Sequence, residues 1–203
     1  MKLFKPPRLA DWALPRLRWR FSVSGPVVFI TFDDGPNPEI TPFVLDLLKT
    51  YNWKATFFCV GENIRKHPEL FQRVLAEGHA IGNHTMKHLN SIKTENETYL
   101  NSFREFEQLH PGKLFRPPYG RIKPSIAKEI GLTHQIIMWS WLSYDYDLKV
   151  SNERILDEAQ RIKPGDILVL HDNAKIAARQ QELLPQLFEL LRKKGFRSEI
   201  ISA

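Results

Sequence analysis

Two hydrophobic periods alternate along this chain. Residues 27–32 (VVFITF), 55–60 (ATFFCV) and 167–170 (ILVL) are short, nearly continuous apolar runs, the pattern of strands buried on both faces. Between such runs, apolar residues recur at helical spacing. Phe43, Val44, Leu47, Leu48 and Tyr51 follow Thr41-Pro42, which predicts a helix with Thr41 as its N-cap and Pro42 at its first position. Leu70, Phe71, Val74 and Leu75 mark a second helix over 68–76, stopped at Gly78. The same reading places strands at 79–83, 113–116, 133–139 and 196–201. It places helices at 94–109, 124–130, 151–161 (capped by Ser151) and 180–194.

Strand followed by helix, repeated, implies an α/β fold with a parallel sheet and right-handed crossovers. Length separates the architectures. A complete eightfold barrel takes about 250 residues, so a barrel built from 203 must be trimmed or distorted. In a barrel or an open sheet alike, function sits just beyond the C-terminal ends of the strands.

Composition narrows the chemistry. Hydrophobic residues make up 42% and charged residues 26%, which fits a globular domain and excludes a disordered or collagen-like chain. Cys59 is the single cysteine, so any metal site must use histidines and carboxylates. Lysine and arginine total 29 against 23 acidic residues, and most of that excess lies in residues 1–20. The rest is nearly neutral and shows no basic patch with interleaved aromatics, which argues against a nucleic-acid partner.

Residues 1–25 therefore read as a basic arm ahead of a domain over 26–203. The arm mixes Leu3, Phe4, Leu9, Trp12 and Trp19 with six cations. It suits either peripheral contact with an anionic membrane surface or packing on the domain; Pro6, Pro7 and Pro15 break any long helix and favour packing. It lacks the apolar core of an export signal, roughly 7–15 residues, and no run approaches the ~20 residues of a membrane span. The expected location is the cytoplasm or the inner face of a membrane.

Polar clusters follow the strands in phase: Asp33-Asp34, His84 with His88, Arg116, Asp145 (after an intervening loop) and His171-Asp172. HTMKH at 84–88 brings two imidazoles onto one face if it forms a helical turn; alone it is equally two surface histidines. Adjacent carboxylates on a regular strand point oppositely, but at a strand end followed by Gly35-Pro36 both can reach one cleft. Their repulsion is relieved if one binds a cation and the other stays a free base. Two histidines and one aspartate suit Zn²⁺, with Co²⁺ or Ni²⁺ as substitutes. His171 follows a buried strand and is a candidate general acid or base.

Five segments in chain order resemble the motifs of the NodB-like polysaccharide deacetylases, a carbohydrate-esterase group. They are TFDDG at 31–35, HTMKH at 84–88, RPPYG at 116–120, SYDY at 143–146 and LVLH at 168–171. The resemblance covers about residues 26–201. It implies a distorted (β/α) barrel and metal-dependent removal of acetyl groups from an N-acetylated glycan. It casts Asp33 as general base and Asp34, His84 and His88 as metal ligands. Arg116 would pair with Asp33, and Asp145 would anchor Arg116. His171 would protonate the leaving nitrogen. The Tyr119 backbone N–H would stabilise the oxyanion, while Leu168 and Tyr146 would wall the acetyl pocket. The fourth segment departs from the pattern: Leu142 stands where an aspartate is usual, and Tyr146 where a tryptophan is. That departure keeps open O-acetyl esters or a non-sugar amide as substrate. An inactive glycan-binding relative would lack the base, a ligand or the acid, and this chain has all of them.

Overall fold

The computed structural model describes residues 3–5 and 16–202. Its strands are β1 (Leu17–Arg18), β2 (Val27–Asp34), β3 (Thr56–Cys59), β4 (Ala80–Asn83), β5 (Leu114–Phe115), β6 (Gln135–Ile137), β7 (Trp141–Leu142), β8 (Ile167–His171) and β9 (Arg197–Ser198). Its helices are α1 (Thr41–Thr50), α2 (Gly61–Lys66), α3 (Pro68–Ala76), α4 (Asn96–Leu109), α5 (Pro124–Ile130), α6 (Asn152–Ala159) and α7 (Ala177–Lys193). The sheet runs β1-β6-β5-β4-β3-β2-β8-β7, with β9 beside the start of β2. Every ladder is parallel. The sheet curls into the expected distorted barrel.

The side-chain period of two sorts the core. On β2, Val27 and Phe29 join Phe58, Leu114, Ile137 and Ile167 in an inner cluster. Val28, Ile30 and Phe32 face outward and pack with α1 and α7 through Val44, Leu48, Leu184 and Leu187. On α7 the buried residues Leu183, Leu184, Leu187, Phe188 and Leu191 repeat at helical spacing and form one apolar stripe. Each such side chain contributes roughly 1.5–3 kcal/mol when fully buried.

The residues ahead of 26 join the same sheet. Leu17 and Arg18 pair with β6, and the Phe21 N–H bonds the Gly165 carbonyl beside β8. This segment links two strands that are not neighbours in the main ladder. Phe4 is buried against Trp141, and its carbonyl accepts from the Leu142 N–H. The sheet therefore begins ahead of the boundary expected after residue 25. The remainder of the arm, residues 1, 2 and 6–15, lies outside the described residues. No helix among the described residues is long and apolar enough to cross a membrane.

Several elements differ from their predicted bounds. α7 begins at Ala177 rather than 180. The strand expected over 133–139 is only Gln135–Ile137, and the one expected over 196–201 is only Arg197–Ser198. The short α2 was not predicted. Ser151 caps α6, accepting from the Arg154 N–H at 3.2 Å. Thr41 does not cap α1; its hydroxyl donates to buried Asp172 at 2.6 Å. A tertiary partner there outcompetes the local one.

Candidate active site

The C-terminal ends of β2, β4, β5, β7 and β8 open onto a cleft of about 590 Å³. Asp33 continues the inward series of Phe29 and Thr31. Asp34 adopts φ 85°, which breaks the strand's alternation, so both carboxylates line the cleft. Thr85 (φ 63°), His88 (φ 51°) and Tyr119 (φ 61°) are also left-handed. Such conformations cost of order 1–3 kcal/mol each and gather where geometry serves function.

Asp34, His84 and His88 offer ligand atoms that all lie within 4.8 Å of one another. The His88 Nε2 is 3.2 Å from Asp34 Oδ1, and the His84 Nε2 is 3.9 Å from it. The two histidines do not share a helical turn as expected. They lie on the loop after β4, and the left-handed residues Thr85 and His88 bring the rings together at 5.1 Å. Asn83 Oδ1 accepts the Thr85 N–H, and the Met86 N–H bonds the Ser102 carbonyl, which fixes the loop's path. His84 Nδ1 lies 2.8 Å from the Arg116 carbonyl. Donating there leaves Nε2 a free lone pair facing Asp34. Burial pushes the His84 pKa down to about 4, keeping the ring neutral as a ligand must be. Burial disfavours ionised Asp34, but the surrounding imidazoles outweigh it and hold its carboxyl well below the usual range. Two neutral-capable imidazoles and an ionised carboxylate fit a small divalent cation.

Asp33 lies next to this cluster. Arg116 Nη1 donates to Asp33 Oδ1 at 2.7 Å and to Thr31 Oγ1 at 2.6 Å. Its Nε donates to the Ile137 carbonyl and its Nη2 to the Met138 carbonyl. The guanidinium also lies 4.1 Å from the Phe58 ring centre. Arg116 is fully buried and its hydrogen bonding is satisfied, so its position is rigid.

Asp145 corrects an expectation. It does not anchor Arg116; among the described residues all the hydrogen bonds of that guanidinium go to the groups just named. Asp145 Oδ1 lies 2.6 Å from His171 Nδ1, and Oδ2 accepts the His171 N–H at 2.8 Å and Gln180 Nε2 at 2.6 Å. β7 and β8 are adjacent in the sheet, while Arg116 lies across the barrel behind Asp33. Burial works against a charged His171, but the Asp145 carboxylate prevails and raises the pKa to about 9. The ring is therefore an imidazolium at neutral pH, with Nε2 free to donate.

Leu168 is the second correction. It faces outward among Ile30, Val44 and Leu187 and does not line the cleft. His171 faces inward, so Val169, two residues earlier, does too, and Leu142 joins it. Tyr146 is half exposed with its ring 5.1 Å from that of His171, as a wall residue would be. Trp139 lines the cleft, whereas Trp141 is core. The Tyr119 N–H makes no hydrogen bond among the described residues.

Two supporting residues were not foreseen. Asn173 Nδ2 donates to Asp34 Oδ2 at 3.2 Å, and Gln180 holds Asp145. No local pattern marks Gln180, because it reaches Asp145 only through the packing of α7.

The fold and cleft define a barrel protein with an Asp-His-His cluster at the carboxyl ends of its strands. The chain belongs to the polysaccharide deacetylase family, whose profile matches residues 22–135. A peptidoglycan-N-acetylglucosamine deacetylase of Bacillus cereus is 37% identical over 99% of this chain and 95% of its own length. A chitooligosaccharide deacetylase of a Bradyrhizobium species is 32% identical over 83% of this chain and 86% of its own. Among solved structures, the Bc1960 peptidoglycan N-acetylglucosamine deacetylase bound to 4-naphthalen-1-yl-N-oxidanyl-benzamide superposes with a TM-score of 0.87. It is 31% identical and covers 97% of this chain and 95% of that one.

Proposed function

We propose that this protein is a metal-dependent N-deacetylase that removes acetyl groups from an N-acetylglucosamine-containing glycan and releases acetate. The observation that carries this reading is one cleft holding an Asp-His-His cluster, a carboxylate fixed by a buried arginine, and an imidazole fixed by a second carboxylate. Its relatives are named for the same chemistry.

Asp34, His84 and His88 would hold the ion, Zn²⁺ by the nature of the donors. A bound ion there would polarise the amide carbonyl and ease ionisation of the attacking water. Asp33 accepts the proton of that water on Oδ2, while Arg116 holds Oδ1 and so orients the carboxylate. The Tyr119 N–H donates to the oxygen on which charge develops. His171 Nε2–H gives its proton to the departing nitrogen, and Asp145 keeps that proton available at neutral pH. Val169, Leu142 and Tyr146 enclose the acetyl methyl group.

The test is acetate release from N-acetylglucosamine oligomers and peptidoglycan fragments by chelated protein, before and after zinc is restored. Zinc-dependent release supports the proposal. Zinc-loaded, folded protein that releases none from either, but cleaves acetylated xylan, would replace it with an O-acetyl esterase.

A further inference from the structure

We infer that the cleft carries a subsite for an anionic group on the glycan, formed by Lys93 and Arg121. This rests on the deacetylase reading and concerns which glycan that site prefers.

Each acid of the cleft already has a partner. Asp33 is bound by Arg116, Asp145 by His171, and Asp34 lies among His84, His88 and Asn173. Asp172 is buried outside the cleft, where its carboxylate accepts the Gly35 N–H and the Thr41 hydroxyl. Lys93 and Arg121 line the same cleft, are exposed, and have no acidic partner among the described residues.

These two cations are held on a firm frame. The Lys93 N–H bonds the Asn90 carbonyl in a tight turn, and the Arg121 N–H closes the turn at Pro118–Gly120. Ser91 Oγ accepts the Lys123 N–H at 2.9 Å, which ties the two loops together. The Lys123 ammonium donates to the Thr94 carbonyl and to Asn96 Oδ1. Lys123 is thus committed to structure, while its neighbours Lys93 and Arg121 stay open to solvent.

Their wall is rich in rings that suit a sugar face, Tyr119 and Trp139. Surplus positive charge beside a sugar-sized surface favours a glycan bearing a carboxylate or phosphate next to the acetylated unit. A neutral oligomer makes the ring contacts but not the charged ones.

The experiment compares three oligomers of equal length on the zinc-loaded protein. One is neutral, built only of N-acetylglucosamine. One alternates N-acetylglucosamine with a sugar bearing a lactyl carboxylate. One bears a sugar phosphate. At low salt, kcat/KM for an anionic oligomer should exceed that for the neutral one by about tenfold, the scale of two exposed ion pairs. The preference should appear mainly in KM and shrink at 0.5 M sodium chloride, and whichever anionic oligomer is favoured identifies the group. Lys93→Gln with Arg121→Gln should reduce the ratio to near one. Equal kcat/KM on all three by the unaltered protein would overturn the subsite. So would a double variant that slows all three by one common factor. No acetate from any of them would overturn the deacetylase reading and the subsite with it.

Discussion

Asp145→Asn tests the division of labour in the cleft most sharply. The substitution keeps the shape and removes the charge. In the intact site the carboxylate holds the His171 pKa at about 9, against an ordinary value of 6.5. That shift corresponds to roughly 3 kcal/mol favouring the imidazolium, at about 1.36 kcal/mol per unit. Without the carboxylate, burial is opposed only by the weaker attraction of Asp34 and Asp33, and the pKa falls towards the ordinary 6.5. A general acid works only while protonated, so its activity is lost as pH rises through its pKa. The alkaline limb of the kcat/KM profile should therefore move down by two units or more. At pH 7.5 a group with pKa of about 6.5 is only ~10% protonated, which predicts a loss of about tenfold there and less at pH 6. A metal ion held by Asp34, His84 and His88 would offset both proteins alike, so the difference between them is the quantity to read. An alkaline limb that stays in place would refute the assignment. A shift of the acid limb instead would mean that Asp145 acts through Arg116 and Asp33.

Three further predictions address the fold and the pocket. Leu168→Ala should lower stability by about 2–5 kcal/mol with little change in KM, whereas Val169→Trp should reduce kcat/KM by roughly a hundredfold; acetate assays beside urea unfolding separate the two. Phe4→Ala should cost about 3 kcal/mol or more because the ring is buried on Trp141 and Tyr144, while Leu3→Ala, at a side chain 56% exposed, should cost under about 0.5 kcal/mol. Burial pushes the His79 pKa down to about 4 from 6.5. The unfolded chain therefore binds the extra proton first. Stability is fully present above pH 6.5 and declines towards pH 4 by up to roughly 3 kcal/mol. His79→Leu should flatten that slope in urea titrations across the range.

The layout of the fold was legible because β2, β3 and β8 are apolar enough to be buried on both faces, and α1, α3 and α7 show clear helical stripes. The convergence of Asp34, His84 and His88 beside Asp33 was legible because polar groups at strand ends keep phase with the strands. Failures began where a side chain chooses a distant partner. Asp145 lies between β7 and α6 in sequence, and only the sheet order sets it against His171 rather than Arg116. Thr41 has the composition of a cap, yet Asp172, 131 residues away, takes its hydroxyl. Leu168 was misplaced although the information was present: His171 faces inward, and a period of two assigns Val169, not Leu168, to the same side. The HTMKH histidines converge without a helix, through left-handed residues that carry no glycine to announce them.

The deacetylase reading stands or falls on Asp33 as the base beside an ion held by Asp34, His84 and His88. Asp33→Asn, loaded with zinc and assayed for both metal content and acetate release, tests it most directly. One zinc per chain is expected, as in the unaltered protein, with acetate release reduced by at least about a hundredfold. Full activity with zinc bound would contradict it.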